Sequence, residues 1–442
     1  MTSSSHSRNS TGVGLEKDIR EKGEIQQGVF APVEYPKIDV FSNAFSGCKA
    51  WQHKILTECA VTGRKYTFGQ TYDGALRWGE ALKKLLPKSR NSTIAFICTN
   101  SPDYVCLFLG TLAAGATVTP FNPIYTPDEV AHQLLDSGAE LLVVDTFFEP
   151  IADAAFKIMG KTLPVVVNGV SKNGRPNAQE ILADPNAKML DYTPIDPNTV
   201  AFLPYSSGTT GRPKGVILTH EALVSNISMV ANEHFGLHQK AFGFGMTETL
   251  ITHITPHSNE KIGYCGQLIP NVKAKVVDTE TGDILPANTP GELFIHSPSA
   301  MLGYHNNEEA TAETKDEGGW VRTGDIAFYT EDGFYSIVDR IKELIKVKGL
   351  QVSPTELEET LQTHPGIAEA GVVGIPDDNL GEAPVAFVVR TDDKVSEKEI
   401  HAFMEKRLAK HKQLAGGVKF VDELPKNATG KLLRRVLKSY IA

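Results

Sequence analysis

The chain has 442 residues, 41% of them hydrophobic and 22% charged, with a formal net charge of −9. That balance fits a soluble globular protein with a sizeable core and, at this length, roughly two or three domains. It argues against nucleic acid as a partner, since no basic block interrupts the acidic composition, and no apolar run is long enough to span a bilayer.

The five cysteines (Cys48, Cys59, Cys98, Cys106 and Cys265) are scattered, odd in number and free of any CxxC pair. This is the usage of free thiols in a reducing compartment, not of a disulfide scaffold or zinc site. The Ser-rich N-terminus lacks the apolar core of a secretory signal, and only Arg8 stands before Glu16 as a firm positive charge. Residues 439–442 are not a Ser-Lys-Leu address. The expectation is an intracellular, cytoplasmic protein, with peroxisome and mitochondrion left open.

Residues 1–28 are polar and read as a disordered segment, with ordered chain from Val29. Residues 63–68 suggest a hairpin arm, followed by a helix over 71–86. Short apolar strands are expected at 93–98, 118–121, 141–144 and 164–167. Between them, 102–114 reads as a helix with Tyr104, Phe108 and Leu112 four apart. Thr126-Pro-Asp-Glu is a helix start, with Thr126 as cap, proline at the first position and acids in the first turn. Strands alternating with helices argue for a parallel, doubly wound sheet, which takes ligands at the carboxyl ends of its strands.

A strand at 199–203 runs into Tyr205 to His220, reading YSSGTTGRPKGVILTH. Ser206, Ser207, Gly208, Thr209, Thr210 and Gly211 are small or hydroxylated. Glycines let successive N–H groups face one anion, hydroxyls add donors, and Lys214 adds a point charge suited to phosphate. An ordinary Gly/Ser turn has the same residue types, but not the strand before it and the Gly-Arg-Pro-Lys-Gly after it. It is not a Walker A loop, because the fifth residue after Gly208 is Pro213 and Lys214 is followed by Gly215. Residues 243–249 (GFGMTET) form a second Gly-rich stretch that lacks the third glycine of a dinucleotide fingerprint. From 271 to 296, alternation and turn signals predict an antiparallel β unit, followed by Gly303-Tyr304 and GGWVRTGD ending at Asp325. Ser353-Pro-Thr-Glu and Ser396-Glu-Lys-Glu are capping boxes. With strands at 370–373, 385–389 and 418–421 they outline a small α+β unit.

The Tyr205 loop resembles the nucleotide-phosphate loop of adenylate-forming enzymes: acyl-CoA synthetases, 4-coumarate–CoA ligases, luciferases and peptide-synthetase adenylation domains. The resemblance extends from about Thr67 to the C-terminus. It implies an α/β fold with a large N-terminal domain (29–338) of doubly wound sheets plus a β-rich unit, and a small mobile α+β lid (339–442). It further implies ATP, Mg2+ and coenzyme A as cofactors and a small carboxylic acid as substrate. By the same resemblance Phe244 lies beside adenine, Thr247 on the phosphates and Glu248 on magnesium. Asp325 and Arg340 contact the ribose, and Lys342 is the hinge. Lys346 and Gly349 face the acyl–CoA step, and Lys431, in the terminal Pro-Lys-Asn-Ala-Thr-Gly-Lys, is the main catalytic residue. Without the resemblance, the lysines at 342–348 read as solvated surface charges.

One departure stands out. Only 27 residues separate Gly215 from Gly243. In the family this interval is longer by on the order of a hundred residues, a domain-sized piece. Neither a Pro-Phe-Phe-His-like segment, which borders the acyl pocket, nor a Ser-Gly-Ala-Ala-Pro-like turn, which walls the adenine site, is present. The pattern stops and resumes between about Glu233 and Phe242. The reading is therefore an ATP-dependent carboxylate–CoA ligase for a fatty or aromatic acid. The alternative is a shortened, impaired variant that keeps only nucleotide or partner binding. A phosphate-loop hydrolase is a weaker rival, against which the missing Walker pattern counts.

Overall fold

Short strands that are apolar at every position need cover on both faces. The computed structural model, which describes residues 23–206, 213–231, 243–256, 261–392, 394–426 and 432–441, gives them that cover. A six-stranded sheet has the order Leu218–Thr219, Val200–Phe202, Thr117–Pro120, Thr93–Ile97, Leu141–Asp145, Val165–Asn168. Its last five strands are parallel and the first is antiparallel. Ile94, Phe96, Leu141, Val143 and Val166 pack on one face against Trp78 and Leu82 of helix Phe68–Leu85 and Leu107 and Leu112 of helix Pro102–Ala113. Ala95, Ile97, Leu142, Val144 and Val167 pack on the other against Val130 and Leu134 of helix Pro127–Asp136 and Ala152 and Phe156 of helix Glu149–Met159. The two sets alternate along each strand, as the pleat requires.

Helices Phe68–Leu85 and Pro102–Ala113 approach closely at Gly110, where a Cβ would lie 2.2 Å from the Ala75 carbonyl oxygen. Only glycine fits that crossing. The chain steps from Thr93–Ile97 to Thr117–Pro120 on one side, then crosses to Leu141–Asp145 on the other. This reversal of direction puts a crevice at the carboxyl ends of the strands.

The second sheet has eight antiparallel strands, in the order Gln26–Gln27, Lys273–Val277, Gly291–His296, Val321–Tyr329, Phe334–Arg340, Gly266–Leu268, Leu250–Ile254, Gly243–Met246. Two boundaries differ from expectation. Gln26 and Gln27, expected within the disordered segment, pair with Ala274 and Lys273. That pairing is made by backbone groups, and so it leaves no hydrophobic pattern to read. The expected domain boundary at 338/339 falls inside a strand: Asp339 and Arg340 still pair with Ile326 and Asp325, and the chain leaves the sheet only at the turn Ile341–Glu343.

The C-terminal unit holds strands Ile345–Val347, Leu350–Val352, Ile367–Asp377, Gly381–Arg390 and Val418–Phe420 with helices Pro354–Gln362, Glu397–Glu405 and Arg434–Ser439. Both capping serines act as read. Ser353 Oγ accepts from the Glu356 N–H at 3.1 Å and Ser396 Oγ from the Glu399 N–H at 3.3 Å. Asp339 is buried and accepts from the Ser353 hydroxyl and the Thr355 N–H, so the last strand of the large sheet also holds the first turn of the next helix. All five cysteines are free.

Candidate active site

Two short strands grip the ends of the phosphate-loop candidate. Tyr205–Ser206 and Lys214–Gly215 pair antiparallel, with Lys214 opposite Ser206. The Tyr205 hydroxyl donates to Asp136 Oδ2 at 2.5 Å, tying the hairpin to helix Pro127–Asp136. Ser207, Gly208, Thr209, Thr210 and Gly211 lie outside the described residues, as does Lys431. Lys214 is half-buried, with Nζ 5.1 Å from the centroid of the Tyr304 ring, within range of a cation–π contact.

Glu248 sits in the tight turn joining Gly243–Met246 to Leu250–Ile254. Leu250 closes that turn at φ +59°, a left-handed conformation that costs a side-chain-bearing residue about 1–2 kcal/mol. Glu248 is only 5% exposed. Its carbonyl accepts from the Met301 N–H at 2.7 Å, and its Oε1 accepts from the Tyr304 hydroxyl at 2.8 Å. Burial, then the nearby Glu248 charge and this bond, push the Tyr304 phenol well above its ordinary value, so it remains a donor.

Asp325, 2% exposed, faces Arg340 across the strand pair, with Arg340 Nε 2.7 Å from Asp325 Oδ1. Thr323 Oγ accepts from the Asp325 N–H at 3.0 Å and donates to the Leu293 carbonyl at 2.9 Å. Arg322 grips buried Glu292 with two bonds, of 3.2 and 2.7 Å.

Lys214, Glu248, Tyr304, Arg322, Arg340 and Lys342 are among the residues that line one cleft of about 490 Å3. The cleft thus sets the Lys214 ammonium and two guanidiniums, Arg322 paired with Glu292 and Arg340 with Asp325, among the carboxylates of Glu248, Glu292 and Glu313. The hinge candidate Lys342 stands at its lip. Half-buried Thr247 adjoins Glu248, and Ser206 is buried beneath the hairpin.

Three expected residues lie elsewhere. Phe244 packs on the core of the eight-stranded sheet, its ring 5.6 Å from that of His253. Lys346 is exposed in the small unit, where its N–H donates to Glu382 Oε2 at 2.7 Å. Gly349, at φ +80°, lines a separate groove of about 390 Å3 with Glu280 and Pro290. Conversely, Tyr304, Arg322 and Glu292 line the cleft without having been singled out by function. Gly303-Tyr304 and the stretch holding Arg322 had drawn notice only as motifs, and the link from Tyr304 to Glu248 spans 56 residues.

Comparison with known proteins fits this geometry. The family described as AMP-binding enzyme matches over residues 48–242 and 231–305, and the AMP-binding enzyme C-terminal domain over residues 356–431. The chain belongs to the AMP-binding enzyme family. As a member of this adenylate-forming group it resembles 4-coumarate–CoA ligase 3 of Oryza sativa subsp. japonica, at 31% identity over 496 aligned positions that take in 86% of this chain and 88% of the relative. It is also 31% identical to luciferin 4-monooxygenase of Luciola mingrelica, covering 93% and 96% of the two chains. Among solved structures, ATP-bound MatB from Rhodopseudomonas palustris superposes with a TM-score of 0.81 at 23% identity, over 91% of this chain and 98% of that one. The anthranilate CoA ligase AuaEII in complex with anthranoyl-AMP gives 0.80 at 23%, over 92% and 98%. The fold is that of the AMP-binding enzymes, an α/β architecture with large sheets and a small terminal unit.

Proposed function

We propose that this AMP-binding enzyme is an acid–thiol ligase that activates a fatty or aromatic carboxylic acid with ATP and transfers the acyl group to coenzyme A. The observation that carries this reading is the convergence of Lys214, Glu248 and Arg340 on one cleft, with Arg340 paired to Asp325. Among the described residues no group of three His, Cys, Asp or Glu side chains is arranged to hold a metal. A buried carboxylate facing a phosphate-sized cleft suits magnesium, which takes one or two carboxylates and fills its shell with phosphate oxygens and water. Bound there, magnesium would offset the charge that builds on the departing pyrophosphate.

The chain's own groups do the rest. Lys214 and the hydroxyls and amides of Ser206 to Gly211 bind the phosphates, with the Thr247 hydroxyl beside them. Asp325 accepts from the ribose hydroxyls and Arg340 holds that carboxylate in place. Lys431 sets a cation against the oxygens that join the acyl group to the α-phosphate, where charge develops. A substrate carboxylate oxygen bonds to the α-phosphorus as the bond to pyrophosphate breaks. The small unit then turns about Lys342, bringing Lys346 and Gly349 to the cleft. The coenzyme A sulfur, having lost its proton, bonds to the acyl carbon as AMP leaves. That Lys346 and Gly349 stand outside the cleft here is consistent with a first-step arrangement.

A second reading has its own support. The alignment with the rice ligase leaves more than a hundred of its positions without a residue of this chain. The family match comes in two pieces that meet near residues 231–242. On this reading the protein is a shortened relative that keeps nucleotide binding and has lost much of the acyl site. AMP release measured with coenzyme A and a panel of acids separates the two. Release dependent on one class of acid supports the ligase, and none with any acid, from folded protein, removes it.

A further inference from the structure

The cleft contains a cation and an anion that do not neutralise each other: among the described residues no ion pair joins Lys214 to Glu248. Tyr304 stands between them. Its ring face takes the Lys214 ammonium at 5.1 Å from the centroid, and its hydroxyl donates to Glu248 Oε1 at 2.8 Å. We propose that Tyr304 is a positioning residue that fixes the Glu248 carboxylate for magnesium and holds Lys214 apart from it for the phosphates. The inference rests on the nucleotide-binding reading above.

Both halves follow from ordinary chemistry. The terminal torsion of a glutamate is broad. A phenol bonded to one carboxylate oxygen narrows it and leaves the second oxygen for a hard cation. Two opposite charges free to meet in a half-buried cleft would pair and quench each other's ligand binding. An aromatic face attracts an ammonium without neutralising it. Tyr304 is itself fixed. The Ile217 N–H donates to the Gly303 carbonyl at 3.0 Å and the His305 N–H to the Gly215 carbonyl at 2.8 Å, so its segment lies along the strand that carries Lys214. The Tyr304 N–H donates to Thr311 Oγ at 2.8 Å. On its far side, Met301 N–H holds the Glu248 carbonyl. One five-residue strap thus touches both halves of the site.

The test is calorimetric binding of a non-hydrolysable ATP analogue, with magnesium and with EDTA, to wild type, Tyr304→Phe, Glu248→Gln and the double variant, each checked for a normal melt. The readout is the magnesium enhancement of affinity. In Tyr304→Phe, which keeps the ring, the enhancement is expected to fall about tenfold, as for loss of one bond to a charged group. Metal-free affinity is expected to stay within about twofold, because the ring face is kept. In the double variant the enhancement is expected to be no lower than in Glu248→Gln. An unchanged enhancement in Tyr304→Phe, or additive losses in the double variant, would overturn the proposal while leaving the nucleotide reading intact. Wild type that binds no analogue overturns both. A second readout needs no change at Tyr304. Magnesium added to the wild-type nucleotide complex should perturb tyrosine near-ultraviolet absorbance, and Glu248→Gln should lack that signal. An identical signal in Glu248→Gln contradicts the proposal.

Discussion

Acid should unfold this protein from the sheet that carries the Glu248 turn, through His253. That side chain is fully buried on strand Leu250–Ile254, with its ring 4.5 Å from that of Tyr335 and 5.6 Å from that of Phe244. Nδ1 lies 2.9 Å from Thr252 Oγ, and among the described residues Nε2 has no hydrogen-bond partner. Burial alone pushes its pKa down to about 3. In the unfolded chain a histidine titrates near about 6.5. Above that pH both states are neutral and His253 contributes no pH dependence. Below it the unfolded state takes a proton that the folded state refuses, so stability falls as pH falls. The slope is about 1.4 kcal/mol per pH unit, or about 2 kcal/mol by pH 5. His220, lowered to about 4 by burial against the opposing charges of Asp39 and Asp196, acts in the same direction. Against a net stability of about 5–15 kcal/mol, the two together are a large loss. The assay is calorimetric melting from pH 7 to pH 5 of wild type and His253→Phe, which fills the aromatic site and removes the titration. Thr252 Oγ keeps its bond to the Phe244 carbonyl. The variant should lose about 2 kcal/mol less than wild type across that range, and parallel pH curves would refute the burial argument.

Four further outcomes follow from the same structure. Lys431→Ala should slow adenylation by roughly two to three orders of magnitude, the usual cost of removing one preorganised group that stabilises developing charge. Pre-steady-state AMP formation reads this directly. Arg340→Ala leaves the nearly buried Asp325 carboxylate without its ion pair, and should cost about 1–3 kcal/mol in denaturant melts as well as weakening ATP binding. Trp78→Ala empties a fully buried site and removes the 2.8 Å bond from its indole N–H to the Thr111 hydroxyl, which keeps its own bond to the Leu107 carbonyl, so a loss of about 3–5 kcal/mol is expected by urea titration. EDTA should abolish adenylation, read as AMP formation with and without the chelator, because the proposed step uses magnesium held by the Glu248 carboxylate.

The parallel sheet was legible in the sequence because its signals are local. The apolar runs at 93–98 and 141–144 became Thr93–Ile97 and Leu141–Asp145, and the Thr126, Ser353 and Ser396 caps each accept the expected backbone N–H. Helix Glu149–Met159 was not read, since it follows a 3-10 turn and has no side-chain cap to announce it. Short motifs single out Lys214 and Glu248, which the structure brings to one cleft, and Asp325, which it pairs with Arg340. The site was not legible where packing decides. Tyr304 meets Glu248 through a strap far along the chain, and no motif joins the two. Phe244 shows what a motif alone leaves out: the ring packs on the sheet core beside His253.

The most direct test of the account is acid-dependent exchange of labelled pyrophosphate into ATP, by folded protein with magnesium and a panel of fatty and aromatic acids. The account predicts exchange that requires one class of acid and is lost in Lys431→Ala. Absence of exchange with every acid, while ATP still raises the melting temperature, would contradict the ligase and leave a nucleotide-binding relative.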